Sequence, residues 1–199
     1  MATKKRIQYL SPDDISKLES CIHTPRDIIL LKIFYETGCT VKEAVGIKEE
    51  DVDAVHGQIT FPAENTKSKI LKRAMISKEL GRMIVEFVEH QHKSGVKSKF
   101  VFSSRQSSQM TTKRARQLIL KFGKKADLGK VLPQMVRYAH VIHAVRKGIP
   151  LDAVARQTGL EKIRIVQICD AVSGEELPNQ YLKFFGDKDE EEKKLDEYM

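Results

Sequence analysis

Apolar residues recur at helical spacing along most of the chain, and they predict a mainly α protein. Ser11-Pro12-Asp13-Asp14 supplies a capping serine, a first-turn proline and acids at the positive end of a helix carrying Ile15, Leu18 and Ile22. Thr24-Pro25-Arg26-Asp27 opens a second helix, IILLKIFYETG. It is apolar nearly all round, so it should be buried, and Gly38 should end it. Ser77 caps a helix with Leu80, Ile84, Phe87 and Val88 inward, ended by Gly95. Thr111 or Thr112 caps KRARQLILKFGKKADL, which packs through Leu118, Ile119 and Phe122. Pro133 starts a helix whose broad apolar face is Met135, Val136, Ala139, Val141, Ile142 and Val145, ended by Gly148. Pro150 opens the next, with Leu151, Val154 and Ala155 on one face. Gly159 turns the chain into a last helix with Ile163, Ile165, Val166 and Ile168.

The pattern changes only between Val52 and Ile76. Short strand-like pieces, Val52–Val55 and Gln58–Phe61, flank the turn signal His56-Gly57, and a further piece runs from Ile70 to Ile76. These predict two or three antiparallel strands. The fold class is therefore mainly α with a small antiparallel β-sheet (α+β).

Charge adds a partner to this picture. The 199 residues carry a net +8, unevenly spread. From Asp187 to Met199 seven acids face three lysines, so the rest of the chain is more basic than the total. Between Lys99 and Lys130 nine lysines or arginines face a single acid, Asp127. A basic body of this kind suits a polyanion, most simply nucleic acid. Lys113, Arg114, Arg116 and Gln117 fall in the first turns of their helix, where backbone N–H groups also favour phosphate. No apolar run approaches a membrane span and MATKKRIQYL has no apolar signal region. Three cysteines without metal-ligand spacing fit a reduced, cytoplasmic setting. No cofactor and no metal is implied.

Two boxes carry a family resemblance. Thr37-Gly38-Cys39-Thr40-Val41-Lys42-Glu43-Ala44 with Gly46-Ile47 resembles T-G-L-R-I-S-E-L followed by G-L, and Glu50-Asp51-Val52-Asp53 resembles the W-x-D-I/V-D continuation. Gln134-Met135-Val136-Arg137, Ile142-His143, Gly148, Val154, Gly159-Leu160 and Cys169 follow, without a gap, the frame H-x-x-R-H … H-L-x-x-x-G … G-H and a tyrosine nine residues later. Together, over Tyr9 to Val172, these resemble the catalytic domain of tyrosine recombinases (phage integrases).

The resemblance implies the DNA breaking-rejoining fold, but most of the family's catalytic positions are changed. The first arginine falls on Thr40, the first histidine on Gln134, the second histidine or tryptophan on Leu160, and the tyrosine on Cys169. Only Arg137 matches. The family's hairpin lysine falls on Lys67 or, as second choice, Lys69, with Arg73 farther along the strand. A threonine hydroxyl does not replace a guanidinium fork at a phosphate. The implied protein binds duplex DNA through Lys67, Lys69, Arg73, Lys113, Arg114, Arg116 and Arg137, without an intact catalytic set. Arg137 is expected to project into a basic concavity shared with Lys67, and Cys169 to be a small core residue.

Two alternatives stand beside this reading. One is an atypical recombinase in which Tyr181, or Cys169, acts with a partner subunit. The other is a helix-turn-helix regulator presenting Glu161, Lys162 and Arg164. The chain divides as residues 1–172, an integrase-like domain; 173–186, a segment that packs on its own core or passes to a second subunit, giving a homo- or hetero-oligomer through residues 175–186; and 187–199, an acidic tail expected to be disordered.

Overall fold

The computed structural model describes residues 7–103 and 108–172. Tyr181, the segment 173–186 and the tail 187–199 lie outside the described residues. Eight α-helices, one 3-10 turn (Glu49–Asp51) and one small sheet occupy the described part: α1 (Pro12–Ser20), α2 (Pro25–Thr37), α3 (Val41–Val45), β1 (Val52–Asp53), β2 (Gln58–Phe61), β3 (Lys72–Met75), α4 (Lys78–Lys93), α5 (Thr112–Lys125), α6 (Pro133–Arg146), α7 (Leu151–Thr158) and α8 (Lys162–Asp170).

Local chemistry explains the starts. Ser11 and Asp14 exchange backbone bonds in a capping box at α1. Ser77 and Thr111 accept from the backbone of Leu80 and Arg114 at α4 and α5. The main core gathers α1 to α6 and the sheet around Leu30, Leu31, Phe34, Phe61 and Phe102. α2 lies at its centre, as its all-round apolar surface requires. A second, smaller core of Val141, Ile142, Val154, Ile165 and Ile168 joins the end of α6 to α7 and α8.

The sheet is antiparallel in the order β1-β2-β3, with Ile59 opposite Ala74 and Phe61 opposite Lys72. It is shorter than the sequence suggests. The first strand stops at Asp53, whose carboxylate accepts the His56 N–H and folds the chain back, leaving Val55 exposed. The third begins only at Lys72. The Thr66 hydroxyl bonds the carbonyl of Ile70 and Lys69 takes a positive φ, so Ile70 and Leu71 stand outside the sheet in solvent. On α8 the helical period buries Ile165 and Ile168 and leaves Ile163 and Val166 exposed.

Gly38 ends α2 with φ +59, and a Cβ there would lie 2.8 Å from Thr158 Cγ2 and 2.9 Å from His140 Cδ2. Its smallness thus sets how closely α2 approaches α6 and α7. Gly38→Ala should cost about 1–3 kcal/mol from left-handed strain and overpacking. A urea titration should show the midpoint falling at constant slope; an unchanged midpoint would mean that this contact relaxes freely.

Candidate functional site

Where α3, β3, α6 and the end of α7 meet, a charged cluster is buried. Thr40 caps α3: its hydroxyl accepts the Glu43 N–H at 3.3 Å while Glu43 Oε2 accepts the Thr40 N–H at 2.6 Å. The same carboxylate reaches β3, where Glu43 Oε1 lies 2.8 Å from Lys72 Nζ. Strand alternation turns Lys72 inward beside Ala74 and sends Arg73 and Met75 out. The Lys72 ammonium also stands 4.3 Å from the Phe61 ring centroid. Arg137, one turn into α6, donates through Nη2 to the Thr158 carbonyl at 3.1 Å, and its Nη1 is 3.9 Å from Glu43 Oε2, beyond hydrogen-bond range. Side-chain exposure is 6% for Lys72, 4% for Glu43 and 8% for Arg137.

Neighbouring groups are uncharged. Burial pushes the Cys39 thiol up to about 11, Lys72 partly opposing. Burial, reinforced by the Arg137 charge, holds His140 down at about 4, while its Nδ1 donates to the Tyr35 carbonyl at 2.7 Å. Burial also pulls the Arg137 guanidinium below its ordinary value, with Glu43 opposing. Two cations and one carboxylate leave one positive charge in excess. Arg137 Nη1 is buried with no hydrogen-bond partner.

The other family positions hold no comparable chemistry. Gln134 is exposed on the first turn of α6. Leu160 is half-buried against the second core, its N–H on the Thr158 hydroxyl. Cys169 is half-buried at the edge of that core rather than inside it, and burial raises its thiol pKa. Thr40 is occupied as a helix cap. Arg137 and Lys67 do not share an open concavity: Arg137 is enclosed, while Lys67 is exposed in the β2–β3 connection with Lys69. The lysine beside Arg137 is Lys72, which sequence reasoning missed. Its signal was strand parity, since Ala74 two residues on faces the core.

The exposed cations lie elsewhere. Lys113, Arg114 and Arg116 stand on the solvent side of α5, opposite the buried stripe Ala115, Leu118, Ile119 and Phe122. On the α7–α8 face, Lys162 pairs with Asp152, and Arg164 bonds Tyr138 and Gln167. That face offers fewer uncommitted cations than α5, which weakens the helix-turn-helix regulator reading.

This order of helices around a small sheet, with a buried arginine early in the sixth helix, defines a tyrosine recombinase catalytic domain. The model of the phage integrase family matches residues 8–174, and the chain belongs to that family. It is 24% identical over 160 residues to tyrosine recombinase XerD of Staphylococcus epidermidis, covering 80% of this chain and 54% of that protein. The chain thus spans about half the length of the curated relatives it matches. In fold it is similar to XerA recombinase, with a TM-score of 0.79 at 20% identity, over 90% of this chain and 65% of that one. It is also similar to XerH recombinase bound to its difH substrate, with a TM-score of 0.72 at 19% identity, over 87% of this chain and 53% of that one.

Proposed function

We infer that this chain is a DNA-binding protein of the tyrosine recombinase family that does not itself cut DNA and acts on DNA in a regulatory or architectural role. The observation that carries this reading is the occupancy of the reaction centre. Thr40 is spent on a helix cap, Gln134 and Leu160 carry no ionisable group, and Cys169 is a half-buried thiol raised above its ordinary pKa. Cleavage of a phosphodiester needs a nucleophile and several charged donors preorganised around one phosphorus. A threonine, an amide and an aliphatic side chain do not supply that field.

Binding is a separate matter from cleavage. The similar XerH structure holds a DNA substrate, and the exposed cations Lys67, Lys69, Arg73, Lys113, Arg114 and Arg116 supply phosphate contacts on this chain. Arg137, with one uncommitted guanidinium nitrogen, is assigned here as a phosphate anchor within the closed centre. Duplex DNA of mixed sequence should bind with strong salt dependence. With six or more phosphates contacted, affinity should fall about 10³-fold between 50 and 200 mM salt. Replacing Lys113, Arg114 and Arg116 together by alanine should flatten the logarithmic salt slope by about 2–3. Fluorescence anisotropy of labelled duplex reads both. Binding that ignores salt, or none at low salt, would remove the case for DNA.

A further inference from the structure

The carboxylate of Glu43 is shared unequally. Its Oε1 is 2.8 Å from Lys72 and its Oε2 is taken by the Thr40 N–H at 2.6 Å. Arg137 is left at 3.9 Å, with Nη1 in a long ion pair and without a hydrogen-bond partner, although the residue is only 7% exposed. Both cations also turn to one oxygen: Arg137 Nη2 donates to the Thr158 carbonyl at 3.1 Å and Lys72 Nζ at 3.5 Å. That carbonyl closes the C-terminal end of α7, where the helix dipole is negative. Two buried cations converging on a partially negative oxygen, with one charge in excess, form a seat for an oxyanion, and the α7 carbonyl occupies it here.

Lys72 explains why the seat stays cationic. Without it, the nearest base for Arg137 would be Glu43, and the pair would be neutral. We propose that Lys72 is a positioning residue for anion binding at Arg137: by saturating Glu43 it keeps the guanidinium charged in excess and its Nη1 uncommitted. In the family frame the second cation should come from position 40, where this chain has threonine. Here β3 supplies it instead, and it reaches the same carboxylate that caps Thr40. The ligand is the phosphodiester of duplex DNA, which rests on the function proposed above. It displaces the Thr158 carbonyl from both cations.

The test is a charge cycle in the full chain, read by the affinity and salt slope of mixed-sequence duplex DNA. Lys72→Met leaves Glu43 to neutralise Arg137, so affinity should drop about tenfold and the slope should flatten by about 0.9, one phosphate. Lys72→Met with Glu43→Gln removes both charges of the pair and returns the excess charge to Arg137, so slope and affinity should recover. A purely structural role for Lys72 predicts no recovery. The double variant keeps the net charge of the unaltered cluster, carried by Arg137 alone, and the glutamine oxygen can still accept the Thr40 N–H, so it should fold. Circular dichroism confirms folding in each case. Wild-type binding by folded Lys72→Met, or a double variant with the flattened slope, would overturn the proposal. Arg137→Ala separates this from the underlying reading. If Arg137→Ala binds like the unaltered chain, the phosphate anchor falls, and the role of Lys72 with it. If Arg137→Ala weakens binding while Lys72→Met does not, only the role of Lys72 falls.

Discussion

Cys169→Tyr should form no covalent adduct with a nicked suicide DNA substrate, even though it places a tyrosine at the family's nucleophile position. A tyrosine oxygen attacks phosphorus only where the developing charge is already stabilised, and losing one such donor costs about 10²–10³ in rate. Three further positions remain altered in this variant. Thr40 is held in its capping box, Gln134 is exposed, and Leu160 packs against the second core. Effects at one centre need not add, yet with a guanidinium and two histidine-type groups missing the rate falls below detection. Denaturing gel electrophoresis with labelled substrate reads the adduct as a retarded band. A band from Cys169→Tyr would show that the remaining residues suffice, and the claim of a centre lost at several positions would be abandoned.

Glu43→Ala should be among the most destabilising single changes in the chain. Among the described residues Glu43 is the carboxylate that two enclosed cations face, and its removal strands Lys72 at 6% exposure with little besides the Thr158 carbonyl. Breaking a buried pair on one side costs about 3–5 kcal/mol, because an uncompensated charge stays in low dielectric. The capping box on α3 is lost as well, worth roughly a further 1 kcal/mol. Equilibrium urea unfolding should show a midpoint reduced at constant slope. Combining Glu43→Ala with Lys72→Met should recover part of the loss, since only one of the two stranded cations, Arg137, then remains. A cost below about 1 kcal/mol for Glu43→Ala would mean that water reaches the cluster.

The order of elements and the family are legible in the local sequence. Ser11, Ser77 and Pro133 mark helix starts because caps and first-turn prolines act within a few residues. The all-round apolar character of α2 announces its burial, the apolar period of α5 announces its inward face, and the two boxes around Gly38 and Arg137 announce the family. The losses at Thr40, Gln134, Leu160 and Cys169 were legible in the same way, since each is an identity at a known offset. Which charges meet depends instead on tertiary packing. Lys67, Lys69 and Lys72 are three lysines within six residues. Strand parity opposite Phe61 takes one into the core, while the loop closed by Thr66 leaves the other two in solvent. Whether Arg137 faces an open groove or the carbonyl of Thr158 depends on how α7 docks against α6 and β3. That docking is a contact between segments far apart in sequence, through Gln157 on Met75 and Glu36. Long-range packing, not local propensity, sets the distance between a guanidinium and its counter-charge, and so only the folded chain fixes the chemistry of the centre.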